Sequence, residues 1–129
     1  MDTKTKDLIL KMEIAALEEW NKGNPSAYLE IYADDITYFD PFQEKRIDGL
    51  DKMKAFYESL RGASRIIKYE IIDPVVNGSQ KMAVLSYNLI SHTDENVYKW
   101  NCTEVYRLQE DNKWKIVHNH WSLIKPFDK

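Results

Sequence analysis

The chain has 129 residues, 43% of them hydrophobic and 12% aromatic, so it is long enough to fold as a single domain (residues 1–129) around a sizeable core. A formal net charge of −3 without any block of lysine or arginine argues against nucleic acid or an anionic membrane as a partner. The single cysteine excludes an internal disulfide, and the absence of a signal-like or membrane-spanning apolar segment predicts a soluble cytoplasmic protein.

Two helices are predicted in the first quarter of the chain. Residues 5–22 carry apolar side chains at a spacing of three to four, which predicts an amphipathic helix that Gly23 ends. Its predicted buried positions are Ile9, Leu10, Met12, Ile14, Ala16, Leu17 and Trp20. Asn24 is suited to cap a second helix that runs to about Tyr32, with Pro25 at a position where its missing N–H costs nothing.

A short strand and a third helix are predicted next. Ile36 to Asp40 is a run typical of a strand. The pair Asp48-Gly49 opens the third helix, in which Leu50, Met53, Phe56, Tyr57 and Leu60 form one apolar stripe. Gly62 closes this helix.

Four segments rich in Ile, Val, Tyr, Trp and Thr complete the chain. These predicted strands are residues 65–76, 80–92, 97–108 and 113–124. Turn residues separate them, and Asn77-Gly78 is a strong signal for a hairpin. Three helices followed by an antiparallel meander predict an α+β fold.

Asp40 is the first candidate catalytic residue. Tyr38 and Phe39 precede it, and Pro41-Phe42 follows. A carboxyl group among apolar rings is expensive to ionise, so its pKa tends to rise, which suits a proton-transfer site. The alternative is a structural aspartate that ends the strand with one side in solvent.

Side-chain alternation assigns two faces to the last strand. One face is predicted to carry Val117, Asn119, Trp121 and Leu123, and the other Ile116, His118, His120 and Ser122. Both faces are partly apolar, so both are expected to be covered. The helices would cover one face, and a second subunit would cover the other.

His118 and His120 have a spacing that metal sites use, because both side chains lie on the same strand face. A third ligand would have to be His92 or an acid, and no sequence pattern fixes either nearby. We therefore predict no metal site and no cofactor.

Several motifs spread over nearly the whole chain support a family resemblance. They are Tyr32-Ala33-Asp34-Asp35, Asp40-Pro41-Phe42, Ile47-x-Gly49, Ala55-Phe56-Tyr57, Thr103-Glu104-Val105-Tyr106-Arg107 and the segment from Trp114 to Ser122. This set resembles bacterial ketosteroid isomerases and the wider nuclear-transport-factor-2-like superfamily, which includes the SnoaL-like polyketide cyclases and the association domain of calmodulin-dependent kinases. The resemblance implies a cystatin-like cone, in which a curved antiparallel sheet wraps around the long first helix. It also implies a homodimer through the face with His118 and His120.

The resemblance assigns roles to individual residues. Asp40 matches the base that takes a proton next to a ketone, and Glu104 matches a protonated acid that donates a hydrogen bond to the enolate. We expect both to face one cavity, with their pKa values pushed apart. The residues implied to bind the substrate are Tyr32, Tyr57, Trp100, Tyr106, Asn119 and Trp121.

One position departs from the isomerase pattern. The family's oxyanion tyrosine corresponds to Ala16, and loss of such a donor costs about 2.7–4 kcal/mol of barrier. True steroid isomerase activity is therefore disfavoured. Three hypotheses stay open: an acid–base enzyme acting on a small carbonyl compound, a non-catalytic pocket for a small apolar ligand, and a dimerisation module.

Overall fold

The computed structural model describes residues 1–124, which form three helices and one six-stranded sheet. The elements are α1 (Thr3–Asn21), α2 (Ser26–Ile31), β1 (Tyr32–Phe39), β2 (Ile47–Asp48), α3 (Leu50–Ser59), β3 (Lys68–Gly78), β4 (Met82–His92), β5 (Val97–Leu108) and β6 (Trp114–Leu123). The predicted α+β class is confirmed. No helix within the described residues has the length and apolar character needed to cross a bilayer.

The strands are arranged in the order β2-β1-β6-β5-β4-β3. Every neighbouring pair is antiparallel except β1 and β6, which run parallel. The predicted antiparallel sheet therefore has one parallel pair, which the sequence did not indicate. A parallel pair needs a long crossover between its strands, and here the chain between β1 and β6 contains β2, α3 and the whole meander.

Irregularities in the strand pairing bend the sheet around α1. The pairing of β3 with β4 shifts between Ile72 and Val75, where Asp73 has a φ of 50°. The pairing of β5 with β6 shifts between Val105 and Tyr106. Bulges of this kind bend a strand and increase its twist. The concave side of the sheet therefore closes over the helix, as the predicted cone requires.

The turn between β3 and β4 follows Gly78 and does not contain it. Asn77 and Gly78 still pair with β4, and the hairpin is closed by the Ser79 N–H donating to the Met82 carbonyl at 2.8 Å. A side chain at Gly78 would place its Cβ 2.2 Å from that same carbonyl oxygen. Glycine at this position is therefore required by close approach of the two strands.

Helix α1 buries a narrower face than predicted. The Asp2 carboxylate accepts a hydrogen bond from the Thr5 N–H at 2.8 Å and caps the first turn. The fully buried positions are Ile9, Glu13, Ala16 and Leu17. Ile14, which was predicted to be buried, is 40% exposed. At about 100° per residue, position 14 lies roughly 140° around the helix from position 9 and so faces away from the sheet.

The predicted faces of β6 are wrong at Ile116, because the shift in pairing with β5 interrupts the alternation. Ile116 pairs with Tyr106, and His118 pairs with Val105, so Val117 is an extra residue between them. Ile116 is consequently 0% exposed and faces the core, as does Asn119 two positions after the bulge. His118 keeps its predicted outward direction, on the convex side of the sheet. A charged residue at position 116 would therefore disrupt the core and would not test a dimer.

Candidate functional site

A cavity of about 470 Å³ opens between the helices and one end of the sheet. This volume is in the range of typical small-ligand pockets, about 300–1,000 Å³. Its aromatic lining consists of Trp20, Tyr28, Tyr38, Phe42, Phe56, Tyr57, Trp100 and Trp121. Asp40 is the one charged residue among the described residues of the wall. The cavity therefore combines a large apolar surface with a single carboxylate.

Hydrogen bonds fix the Asp40 carboxylate at the end of β1. Its Oδ2 accepts from the Tyr38 hydroxyl at 2.9 Å. Its Oδ1 accepts from the backbone N–H groups of Phe42 at 2.8 Å and Gln43 at 3.1 Å. The side chain thus stabilises the turn after the strand, as the structural interpretation predicted, and it also lies in the cavity wall. The two roles are compatible.

A chain of polar groups orients Tyr57 in the same wall. The Tyr57 hydroxyl lies 2.9 Å from the Tyr32 hydroxyl, which donates to Oδ1 of Asn119 at 2.7 Å. Asn119 in turn donates to the Thr103 carbonyl at 3.3 Å. Burial raises the pKa of Tyr57, so its hydroxyl stays protonated at neutral pH. Tyr57 is therefore a positioned hydrogen-bond donor, whereas Tyr32 and Asn119 support it from behind.

Glu13 and Glu104 form a buried carboxyl pair behind the cavity. Both are 0% exposed, and their oxygens lie within 4.8 Å of one another. Glu13 accepts hydrogen bonds from the hydroxyls of Tyr28, at 2.9 Å, and of Tyr87. The Tyr106 hydroxyl lies 3.2 Å from Glu104 and 3.3 Å from Glu13. The pair is therefore enclosed by tyrosine hydroxyls.

Burial favours the protonated form of Glu104 within this pair. Burial first, and then the negative charge of Glu13, raise the pKa of Glu104 well above its ordinary value of 4.5. The Oε2 atom of Glu104 has no hydrogen-bond partner among the described residues. Two buried carboxyls this close cannot both ionise. Glu104 therefore has a neighbouring carboxyl group that the resemblance did not imply, Glu13, and its role as a proton donor stays a prediction.

Cys102 lies beside this pair, and the three residues together have donor atoms of the kind that metal sites use. The ligand atoms of Glu13, Cys102 and Glu104 all lie within 4.8 Å of one another. Burial raises the pKa of the Cys102 thiol, which disfavours the thiolate that a metal needs. Tyrosine hydroxyls also occupy both Glu13 oxygens. The cluster fits a hydrogen-bonded carboxyl pair better than a metal centre.

Two of the three histidines have polar partners of their own. His118 Nδ1 lies 2.7 Å from the Thr37 hydroxyl, and His92 lies 3.2 Å from the Glu70 carboxylate. The rings of His118 and His120 are 6.3 Å apart at nearly a right angle. The absence of a metal remains a prediction.

The predicted site residues divide into two groups. Those in the cavity wall are Asp40, Tyr57, Trp100 and Trp121. Those fully buried behind it are Tyr32, Glu104, Tyr106 and Asn119. The expectation that Glu104 and Tyr106 line one cavity with Asp40 is wrong. The cause is α1, because the helix crosses the concave face over β5 and brings Glu13 against Glu104.

Glu13 is the site residue that the sequence interpretation missed. It lies four residues after Ile9 and three before Ala16, which puts it on the buried stripe of α1. A carboxylate at the centre of an apolar stripe, in a chain with eight tyrosines that need acceptors, was the available signal. Ala16 itself is 2% exposed and packs in the core.

Comparison with known proteins gives a consistent group of relatives. The family model for the SnoaL-like domain matches residues 14–117. A solved structure from Parabacteroides distasonis, provisionally named a ketosteroid isomerase, is 41% identical, with a TM-score of 0.83 over 93% of this chain and 88% of that chain. A comparison with curated proteins found no match.

More distant structures support the fold. A nuclear-transport-factor-2-like protein from Pseudomonas putida is 23% identical, with a TM-score of 0.85 over 99% of this chain and 91% of that chain. A Nostoc punctiforme protein with a cystatin-like fold is 12% identical, with a TM-score of 0.80 over 96% of this chain and 94% of that chain. The predicted superfamily and fold are confirmed.

Proposed function

The chain belongs to the SnoaL-like domain family, and on this premise we propose that it is a small-molecule enzyme in which Asp40 transfers a proton on a carbonyl compound. The observation that carries the proposal is a single, hydrogen-bonded carboxylate in the wall of an apolar cavity. The 41% identical relative from P. distasonis, with its isomerase name, supports the same reaction class.

The geometry of Asp40 suits a base. A carboxylate has about four acceptor directions, and three are used by Tyr38, Phe42 and Gln43. The remaining one is available to a ligand in the cavity. In a β,γ-unsaturated ketone, the base would take a proton from the α carbon, next to the carbonyl group, and return it to the γ carbon. This transfer moves the double bond into conjugation with the carbonyl group and leaves Asp40 unchanged.

The enolate formed in this reaction needs a hydrogen-bond donor. Glu104 was expected in this role, but it is fully buried and does not line the cavity. Tyr57 is the better candidate, because it lines the cavity and burial keeps its hydroxyl protonated. A ligand carbonyl would compete with Tyr32 for the Tyr57 proton. We propose that Glu104 acts only indirectly, by supporting the core behind the cavity.

The test is the isomerisation of 3-cyclohexen-1-one to the conjugated 2-cyclohexen-1-one, followed by ultraviolet absorbance. A β,γ-unsaturated 3-ketosteroid tests the larger substrate that the relative's name indicates. Asp40→Asn should lower the rate by at least about 10²-fold, because an amide cannot accept the proton. Its binding of the ketone, measured by tryptophan fluorescence, should change little.

Asp34→Asn is the matched control, since Asp34 is exposed on the same strand and does not line the cavity. It should leave the rate unchanged. An Asp40→Asn variant with the full rate would refute the assignment of the base. Ketone binding without any isomerisation would favour the alternative of a non-catalytic binding protein. Alanine at position 16, which corresponds to the oxyanion tyrosine of the isomerases, also favours that alternative.

We further propose a homodimer through the convex face of the sheet. One row crosses four strands on this face, because Val84 pairs with Val105, Val105 with His118, and His118 with Thr37. Val84 is 41% exposed, and Phe39 packs beside His118 at its end of the row. Two valines and Phe39 on a sheet face that no helix of residues 1–124 covers support a contact with a second copy.

Val84→Glu should dissociate this dimer, because it would bury two unpaired carboxylates across the two-fold contact. Sedimentation equilibrium at micromolar concentration gives the mass directly. Val97→Glu is the control, since Val97 is 51% exposed and lies outside the row. A monomeric mass for the unmodified protein at high micromolar concentration would eliminate the dimer.

A further inference from the structure

The charge in the cavity wall is of one sign. Asp40 is its one charged side chain, and no lysine, arginine or histidine of residues 1–124 lines the cavity. The groups that donate to Asp40 are a tyrosine hydroxyl and two backbone N–H groups, all of them neutral. The carboxylate is oriented by these donors, but no cation of the described chain neutralises it.

A further carboxylate acts from behind the same wall. The Glu13 side chain accepts hydrogen bonds from the hydroxyls of Tyr28, Tyr87 and Tyr106, and its charge, after burial, raises the pKa of Glu104. Tyr28 links this pair to the cavity, because its hydroxyl donates to Glu13 and its side chain lines the wall. Charges act more strongly through a low-dielectric interior than through water. Both carboxyl sites therefore make the cavity attractive to cations and repulsive to anions.

The aromatic lining adds to this preference. The rings of Trp100 and Trp121 meet at 84° with centroids 6.0 Å apart, so they form a corner. Trp20 and Tyr57 pack at 4.6 Å in another part of the wall. The face of an aromatic ring attracts a cation, and tryptophan does so most strongly. Aromatic rings around one carboxylate are a suitable environment for an ammonium group.

We propose that the cavity selects an apolar organic cation, a tertiary or quaternary ammonium ion, over neutral and anionic ligands of the same shape. The inference rests on the proposed function only in taking this cavity as the ligand site, and it requires no proton transfer. A quaternary ammonium fits best, because its alkyl groups make it inexpensive to dehydrate and leave it no proton to lose.

The test uses two probes that differ in one atom. Phenyltrimethylammonium and tert-butylbenzene have the same shape, with a positively charged nitrogen in the first and a carbon in the second. The cation should bind at least about tenfold more tightly. Benzenesulfonate, an anion of similar size, should not bind. Quenching of tryptophan fluorescence and shifts of the indole N–H signals in NMR spectra report binding.

Asp40→Asn should reduce the preference for the cation by about tenfold while the affinity for tert-butylbenzene stays unchanged. The asparagine keeps an acceptor for the N–H groups of the turn, so the fold should be retained. Asp34→Asn, exposed on the same strand, should change neither affinity. Equal affinities for the two probes, or a preference that Asp40→Asn leaves intact, would overturn the inference.

The outcomes separate this inference from the catalytic proposal. A preference for the cation without ketone isomerisation would support the inference and reject the catalysis. Isomerisation together with equal affinity for both probes would support the catalysis and reject the inference.

Discussion

Replacing Glu13 by leucine is expected to lower the unfolding free energy by about 3–5 kcal/mol, a large part of the roughly 5–15 kcal/mol of a typical domain. Leucine fills similar space but accepts no hydrogen bond. The hydroxyls of Tyr28 and Tyr87 would then lose their acceptor inside the core. Each buried hydroxyl without a partner costs about 1–3 kcal/mol. Urea denaturation followed by tryptophan fluorescence measures the loss.

Glu13→Gln is the matched variant, because glutamine keeps one acceptor oxygen at the same place. It should lose less than half as much stability as Glu13→Leu. Glu30→Leu makes the same substitution at an exposed position of α2 and should change stability by no more than about 0.5 kcal/mol. Equal stability of Glu13→Leu and Glu13→Gln would mean that the tyrosine hydroxyls do not depend on this carboxylate.

The secondary structure was largely predictable from the sequence, because its signals are local. The predicted strand 97–108 has the same bounds as β5, and the predicted helix 5–22 differs from α1 by two residues at its start and one at its end. Gly23, with a φ of 87°, follows α1 as the sequence indicated. Periodicity and turn residues act within a few positions of the chain, so a single sequence carries them.

The bulge in β6 could not be predicted in the same way. Residues 114–123 contain no glycine or proline to mark an irregularity. The extra residue at Val117 is visible only in the pairing with β5, since register is a property of two strands. One such residue moved Ile116 from the predicted dimer face into the core. Alternation is reliable only as far as the next bulge.

Several residues of the cavity wall were predicted from the sequence, but the pairing of the buried carboxyl groups was not. Asp40 lies in the cavity wall with Trp100 and Trp121, all three singled out from the sequence. The partner of Glu104 was not found, because Glu13 is 91 positions away in the chain and only the packing of α1 on β5 brings the two together. Long-range pairing of polar groups leaves no local pattern.

The same pair predicts an unusual dependence of stability on pH. Burial and the charge of Glu13 raise the pKa of Glu104 above 4.5 in the folded protein, whereas the unfolded chain has the ordinary value. Between these two pKa values the folded state holds a proton that the unfolded state has lost. The stability that protonation of Glu104 contributes is therefore complete below the pKa of the unfolded chain. It is lost as pH rises towards the pKa of the folded protein, by about 1.4 kcal/mol per pH unit.

Glu104→Gln should remove this slope. The amide still fills the space and can donate to Glu13, but it does not titrate. His118 gives a slope of opposite sign. Burial lowers its pKa from 6.5, so the stability that it contributes grows as pH rises towards 6.5. His118 is present in both proteins, so the difference between them isolates Glu104. Urea denaturation of both proteins at increasing pH above about 5 should show the unmodified protein losing stability relative to Glu104→Gln, by up to about 1.4 kcal/mol per pH unit. Parallel curves would show that Glu104 is already ionised in the folded state, and the assignment of a proton to Glu104 would then be wrong.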